Sequence, residues 1–171
     1  MFAIGLLIIG GYIVNYIEIP PHAPALMEST RAIGYSLEAA VADIIDNSIA
    51  ANASEIDVCF SPYELSPYVS ILDNGHGIDP DRIDEAMRYG SQSSLDVCGE
   101  NDLGRFGLGL KIASLSQCRC LTVISKSRGI LSASRWDLDE VNRIGKWALI
   151  QLDKEDIEQI PQYKTELDKS T

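Results

Sequence analysis

The alternation of apolar and polar residues divides most of the chain into one long helix and several strands. Residues 36–51 carry apolar side chains at helical spacing, and Ser36 stands where a hydroxyl group can cap the first turn. Asn52 follows as a residue that can end the helix in a left-handed conformation. Apolar runs bounded by turn residues predict strands at 55–61, 68–73, 120–127, 130–138 and 147–153.

Further helical patterns lie between these strands. Residues 79–90 predict a helix with Asp79 as its cap and Pro80 in the first helical position. Residues 106–117 predict a second helix, which the chain enters through glycines. The intervening residues 91–106 are rich in Ser, Gly and Asp, and they predict a mobile loop. This order predicts an α+β fold in which a layer of helices covers one mixed sheet.

The N-terminal region has a different pattern. Residues 1–17 are almost wholly apolar, which is compatible with a signal peptide or a membrane anchor. They lack a basic leading segment and a clear cleavage site, so a strand or helix packed on the domain is the favoured interpretation. Residues 18–24 are proline-rich and expected to be irregular, and 25–33 predict a short helix. The expected organisation is a lead-in at 1–24, a domain at 25–153, and a charged tail at 154–171 that begins a following region.

Charge and composition narrow the classes of function. The chain has 171 residues and is 46% hydrophobic, which suits one domain with its own core. Its net charge of −11 disfavours non-specific binding of nucleic acid or of an anionic membrane. Any phosphate site must therefore be local, built from backbone N–H groups, a metal ion and a few cations.

The four cysteines do not form a recognisable zinc site. Cys118 and Cys120 are spaced as C-x-C, but no second pair or nearby histidine completes a ligand set. Cys59 and Cys120 lie in predicted strands and are expected to be buried. Free thiols in a reducing compartment are favoured over a disulfide, and we expect a soluble cytoplasmic protein.

Asp43 and Asn47 lie one turn apart in the predicted long helix, so their side chains share one face. An asparagine oxygen can bind Mg²⁺, and a carboxylate can take a proton from water. The alternative is two polar residues on a solvated stripe, but the surrounding residues are mostly apolar. Asp46 points about 100° away from Asn47 and is expected to be solvated only.

Asp73 ends a predicted strand and begins the segment DNGHG. A carboxylate in this position can accept the exocyclic amine of adenine. Gly75 and Gly77 allow the backbone to turn tightly around a flat ligand. The alternative is an ordinary Asp-Asn-Gly turn, which would be the better interpretation of this segment alone.

The segment GRFGLGLK opens the helix at 106–117. Its glycines, Gly104, Gly107 and Gly109, can bring backbone N–H groups close to phosphates at a helix N-terminus. Arg105 and Lys111 supply local cations. The spacing fits neither a P-loop nor a Rossmann fingerprint. The preceding serine-rich loop suits a lid over a nucleotide, although a disordered loop explains it equally well in isolation.

Taken together and in this order, these segments resemble the GHKL ATPases, the superfamily of gyrase, the ninety-kilodalton chaperones, MutL and histidine kinases. LEAAVADIIDNSIAANASEIDV is similar to their N-box, ILDNGHGID to their G1 box and GRFGLGLK to their G2 box. The resemblance covers roughly residues 31–127. Within the superfamily, AMRYGSQSS followed by GRFGLGLKIAS is most similar to MORC proteins and their bacterial relatives, and then to MutL and the chaperones.

The resemblance implies the Bergerat fold, a two-layer α/β sandwich with helices on one face of a mixed, mostly antiparallel sheet. It also implies that ATP and Mg²⁺ are bound, with Asn47 as the metal ligand and Asp73 as the acceptor for adenine. Gly77 would allow the base to approach. The remaining nucleotide-binding residues implied by the resemblance are Gly75, Gly104, Arg105, Gly107, Gly109 and Lys111.

One departure from the family pattern concerns catalysis. The catalytic position is commonly Glu and here it is Asp43, which is shorter by one methylene. Relatives also complete their site with a lysine from a following domain. We therefore expect ATP binding with slow hydrolysis that drives lid closure and a change of assembly state. Self-association is expected when ATP is bound, and nucleic acid would be contacted only through other regions or partners.

Two alternatives stay open. The first is a conformational switch that binds ATP and does not hydrolyse it. The second is a phosphotransfer domain of the histidine-kinase type, although the chain carries no phosphoacceptor helix before the domain.

Overall fold

A computed structural model of the chain describes residues 17–32, 34–89, 109–160 and 163. The helices are α1 (Ala23–Arg31), α2 (Leu37–Ala50), α3 (Ile83–Met87), α4 (Gly109–Gln117), α5 (Leu138–Ile144) and α6 (Lys154–Glu158). The strands are β1 (Ile56–Ser61), β2 (Tyr68–Asp73), β3 (Cys120–Ser127), β4 (Ile130–Asp137) and β5 (Ile150–Leu152). The α+β class expected from the sequence is confirmed.

Helix α2 begins and ends where the sequence predicts. The Ser36 hydroxyl accepts a hydrogen bond of 3.2 Å from the backbone N–H of Ala39, which satisfies one of the free donors of the first turn. Asn52 has a φ of 59°, the left-handed conformation that ends the helix. The polar residues of α2 are therefore held in a fixed register.

The strands pair in two antiparallel sheets, one of β1 and β2 and one in the order β3-β4-β5. The single mixed sheet expected from the sequence is thus divided, among the described residues, into two hydrogen-bonded ladders. The segment after β2 crosses to β3, where the Ile78 N–H donates to the Ser125 hydroxyl at 2.7 Å. Arg128 and Gly129, both with positive φ, form the tight turn between β3 and β4.

The main core lies where α1, α4 and α5 meet β4. Trp136 is buried in it, and its indole N–H donates to the carbonyl of Met87 at 2.8 Å, which also satisfies the end of α3. Arg31 donates to the carbonyls of Leu115 and Cys118, so α1 caps the C-terminal end of α4. The other buried members of this cluster are Ala23, Met27, Leu115, Leu138 and Val141.

The helix predicted over 79–90 is shorter than expected. It begins at Ile83, and Asp79 is not its cap. The Asp79 carboxylate instead accepts a hydrogen bond of 2.9 Å from the Ser127 hydroxyl, with the Arg128 guanidinium at 3.3 Å. The residues between Asp79 and Ile83 form a turn, because this tertiary contact replaces the local capping interaction that the sequence suggested.

Helix α5 was not predicted from the sequence, and its first residue, Leu138, was assigned to a strand. The Asp137 carboxylate accepts hydrogen bonds from the backbone N–H groups of Asp139 and Glu140 and so caps the start of α5. Strand β4 therefore ends at Asp137. Strand β5 is also shorter than the predicted 147–153. Residues 154–158 form a helix with a capping box, and the buried Ile157 packs it on the sheet.

The first helix begins two residues earlier than the sequence predicts. Helix α1 begins at Ala23 with Pro24 in its first turn, so the irregular lead-in ends at His22. The apolar segment before Ile17 lies outside the described residues. Among the helices that the structure describes, none has the length and apolar character that crossing a bilayer demands.

The three cysteines in the described ranges are free thiols, as expected. Cys59 is half-buried. The prediction that Cys120 is buried was wrong: this residue is exposed, because it begins strand β3 at the rim of the sheet. Cys98 lies outside the described residues.

Candidate active site

The described part of the site forms where helix α2 meets the end of strand β2. Ser48 is buried on α2, and its hydroxyl donates a hydrogen bond of 2.8 Å to Oδ2 of Asp73. The backbone N–H of Gly75 donates to the other carboxylate oxygen, Oδ1, at 2.9 Å. The two donors fix the plane of the Asp73 carboxylate, which is itself exposed and retains lone pairs for a ligand.

Gly75 and Gly77 are required by close backbone packing. A Cβ on Gly75 would lie 2.8 Å from the Cβ of Ala51, at the end of α2. Gly77 has a φ of 69°, and a Cβ there would lie 2.5 Å from the carbonyl oxygen of Lys126 in β3. The two glycines therefore let the segment after Asp73 pass between α2 and β3.

Asn74 has a structural role that the sequence analysis did not identify. Its side-chain oxygen accepts hydrogen bonds from the backbone N–H groups of Ser54 at 2.8 Å and Glu55 at 3.0 Å. Its amide nitrogen donates to the Ser54 hydroxyl at 3.0 Å. These contacts join the loop after α2 to the end of β2, so Asn74 supports the geometry around Asp73. The signal in the sequence was the Asp-Asn-Gly turn itself.

Asp43 and Asn47 share one face of α2, as predicted. The Asn47 amide nitrogen donates to the backbone carbonyl of Asp43 at 2.8 Å. This bond holds the amide nitrogen against the helix backbone, and no donor among the described residues contacts the side-chain oxygen, Oδ1. Asn47 is exposed and Asp43 is half-buried, so both remain accessible to a ligand. Asp46 is exposed, in agreement with the expectation that it is solvated.

Tyr35 contacts Asp43, and it is the second residue of the site that the sequence analysis did not identify. Its phenol O–H donates to Oδ2 of Asp43 at 2.5 Å. This hydrogen bond to the carboxylate is the main cause that raises the pKa of Tyr35 above its ordinary value. The phenol is therefore protonated at neutral pH and remains a donor to Asp43.

Lys111 lies in the first turn of α4, but its side chain is buried and directed towards α3. Its ammonium group donates to the carbonyl of Ala86 at 2.7 Å. Burial lowers the pKa of Lys111 to about 8, and the nearby carboxylate of Glu85 opposes this shift. In this conformation Lys111 stabilises the C-terminal end of α3.

The glycine-rich segment is described only from its last glycine. Gly109 is the first described residue of α4, which packs against α2, the helix of Asp43 and Asn47. At the far end of α4, the Gln117 amide donates to the carbonyl of Tyr35 at 2.7 Å. The other predicted residues of this segment, Gly104, Arg105 and Gly107, lie outside the described residues, as does the serine-rich loop.

The residues present fit the cofactors that the sequence resemblance implies. Mg²⁺ prefers oxygen ligands and often takes only one or two from the protein, with the rest from phosphates and water. The oriented and exposed oxygen of Asn47 can supply such a ligand. The oriented carboxylate of Asp73 can accept an amine from a purine base.

Comparison with known proteins identifies the family of the chain. A family model described as "Histidine kinase-, DNA gyrase B-, and HSP90-like ATPase" matches residues 35–171. ATPase morc-1 of Caenorhabditis elegans is 26% identical over 94 residues, which are 55% of this chain and 11% of that protein. ATPase MORC2B of Mus musculus is 29% identical over 96 residues, which are 54% of this chain and 9% of that protein.

A shorter match is to the DNA mismatch repair protein PMS1 of Saccharomyces cerevisiae, 48% identical over 44 residues, or 26% of this chain and 5% of that protein. The matched segments span no more than 11% of the length of these curated relatives. The family match, by contrast, covers most of the chain and includes Asp43, Asn47, Asp73 and Lys111. The chain therefore belongs to the family of histidine kinase-, DNA gyrase B- and HSP90-like ATPases.

Proposed function

We propose that this domain binds ATP together with Mg²⁺ and hydrolyses the ATP slowly. ATP binding is supported by membership of the family. The observation that carries the proposal is the pair of hydrogen bonds on Asp73, from Ser48 and Gly75, because they present an oriented carboxylate beside the helix that bears Asp43 and Asn47.

Asp73 would accept the exocyclic amine of adenine. Both of its oxygens are already oriented by donors, so little conformational entropy is lost when the base binds. The resemblance to the family implies that the base approaches the backbone near Gly77. The glycines also allow the close packing on α2 and β3 that holds this segment beside Asp73.

Asn47 would hold Mg²⁺ through its side-chain oxygen. When bound, the ion would neutralise charge on the phosphates and so favour phosphoryl transfer. The hydrogen bond from the Asn47 amide to the carbonyl of Asp43 holds the amide nitrogen against the helix backbone.

Asp43 would act as the general base for the attacking water. The water oxygen forms a bond to the γ-phosphorus while its proton moves to the Asp43 carboxylate, and the bond from the γ-phosphorus to the ADP oxygen breaks. The glycine-rich segment, with Gly104, Arg105, Gly107 and Gly109, would contribute N–H groups and a cation near the phosphates. Lys111 would join them only if its ammonium group left Ala86.

A second candidate is an ATP-dependent switch without turnover. One observation favours it: the carboxylate at the catalytic position belongs to Asp43, which is shorter than the Glu common there. Lid closure and ATP-dependent self-association are parts of the proposal for either candidate, and they rest on the resemblance to the family.

The experiment that separates the candidates is incubation with ATP labelled in the γ-phosphate, followed by analysis of the label. Slow hydrolysis predicts free phosphate that accumulates in the parent and falls by about 10²–10⁴-fold in Asp43→Asn, with ATP still bound. Intact ATP recovered from the parent supports the switch. Label transferred to the protein or to a partner would instead indicate a kinase of the histidine type.

The biological process is proposed by analogy alone. One relative is named a DNA mismatch repair protein and two are named MORC ATPases. We propose a role in genome maintenance or defence in the cytoplasm, with any contact to nucleic acid made by other regions, because the chain itself has a net charge of −11.

A further inference from the structure

Tyr35 lies just before α2 and contacts the proposed general base. Its phenol donates to Oδ2 of Asp43 at 2.5 Å, a short hydrogen bond to a charged acceptor. Among the described residues, no donor contacts the other oxygen, Oδ1. The contact therefore leaves one carboxylate oxygen available to receive a proton from water.

The backbone of Tyr35 is held as well. Gln117, the last residue of α4, donates from its side-chain amide to the Tyr35 carbonyl at 2.7 Å. Ser36, the next residue, caps α2. The phenol is thus presented from a backbone position that is fixed by two helices.

The length of the Asp43 side chain explains why such a contact matters. Asp is shorter by one methylene than the Glu common at this position, and Asp43 is only half-buried. A side chain with that much space can adopt several rotamers, and a catalytic carboxylate must be held within about 0.5 Å of its productive position. The phenol removes this freedom.

We infer that Tyr35 is the positioning residue that holds Asp43 in the orientation needed to take a proton from water. The inference rests on the proposed hydrolysis. It does not require Tyr35 to touch the nucleotide, so Tyr35 contributes to turnover and not to ATP affinity.

The test compares Tyr35→Phe with the matched control Tyr63→Phe. Tyr63 is fully exposed in the turn between β1 and β2, at the end of this hairpin opposite to Asp73. Tyr35→Phe should lower kcat about tenfold, the value of one hydrogen bond to a charged group, and leave the Kd for ATP unchanged. Tyr63→Phe should change neither quantity.

The Asp43→Asn background shows whether Tyr35 acts through Asp43. There, adding Tyr35→Phe should cause no further loss of turnover, because the base is already absent. An unchanged kcat in Tyr35→Phe, an equal loss in the Asp43→Asn background, or a loss of ATP affinity alone would overturn the inference. A parent that binds ATP and releases no phosphate would instead overturn the proposed hydrolysis, and the role of Tyr35 with it.

Discussion

Ser48 and Asp73 join helix α2 to the end of strand β2 through a hydrogen bond of 2.8 Å from the Ser48 hydroxyl to Oδ2 of Asp73. Ser48 is buried on the helix, whereas Asp73 is exposed at the strand end. The buried Ser48 therefore orients the carboxylate of Asp73, which is available to a ligand. Since Asn47 is the neighbour of Ser48 in the chain, the same helix sets the positions of both groups.

Ser48→Ala should weaken ATP binding about tenfold, because Asp73 loses the donor that orients Oδ2. The fold should be retained, since Asp73 can be solvated in the variant. Calorimetric titration with ATP measures the change. Ser114→Ala is the matched control: the Ser114 hydroxyl is also buried in a helix, but it has no hydrogen-bond partner among the described residues. Equal affinities of the Ser48 and Ser114 variants would refute the orienting role.

Asn47→Ala should remove the part of ATP affinity that depends on Mg²⁺, because the variant lacks the side-chain oxygen that we assign to the ion. Weak binding of metal-free ATP should persist. Titrations with and without Mg²⁺ measure this difference, and Asp46→Ala, one residue earlier on a different face of α2, is the control. If the metal dependence of Asn47→Ala equals that of the parent, the ligand is another residue.

Lys111 should make folding stability depend on pH between 8 and 10. Its pKa is about 8 in the folded chain because of burial, below the ordinary value of 10.5, so the unfolded chain binds more protons in this range. Stability due to this group is therefore gained as pH rises from about 8 towards 10.5 and is lost as pH falls through 8. The gain between pH 8 and 10 should be about 2 kcal/mol.

Lys111→Met should lack this gain, because the buried side chain no longer titrates. The raised pKa values of the Cys118 and Cys120 thiols lower the stability of parent and variant alike over the same range, so the gain is measured as the difference between the two proteins. Urea unfolding at a series of pH values compares the parent with this variant and with Lys126→Met, whose side chain is exposed in β3. The Lys126 variant should keep the rise of the parent. A rise of the same size in Lys111→Met would show that Lys111 is not buried in its charged form as the structure has it.

Gly77→Ala should destabilise the fold by about 3 kcal/mol, since the new Cβ combines a positive φ with a contact of 2.5 Å to the Lys126 carbonyl. Gly145→Ala is a close control, because Gly145 has a φ of 71° with open space around it. Its cost should be only about 1 kcal/mol. Chemical denaturation compares the two, and equal losses would show that the crossing of this segment over β3 is not tightly packed.

The parts of the site that depend on local pattern were predictable from the sequence. The register of α2 follows from Ser36, its apolar spacing and Asn52, and this register places Asp43 and Asn47 on one face. Asp73 at the end of β2 also follows from local pattern. The class of the fold was inferred from the order of such elements.

The parts that depend on tertiary contacts were not predictable. The Lys111 ammonium group donates to the Ala86 carbonyl in α3, and no local signal in the sequence reports that contact. The contact of Tyr35 with Asp43 links the residue before α2 to the helix itself. The contact of Asp79 with Ser127 links the segment after β2 to β3, and it replaces the helix cap that the sequence suggested. Helix α5 was missed because the apolar spacing of its first residues continues the pattern of the preceding strand.

The most direct test of the account is the calorimetric titration of ATP and Mg²⁺ into the parent, Asp73→Asn and the control Asp57→Asn. Ser48 and Gly75 each donate to one oxygen of Asp73, and an amide has only one acceptor, so the Asn variant cannot receive both donors and the adenine amine. Asp57 is exposed in β1 and pairs with Leu72, so its side chain lies on the face of the β1–β2 ladder opposite to that of Asp73. We predict ATP binding by the parent and by Asp57→Asn, and its loss by at least about a hundredfold in a folded Asp73→Asn. Binding by Asp73→Asn within a few-fold of the parent, or no binding by the folded parent, would contradict the assignment of this site.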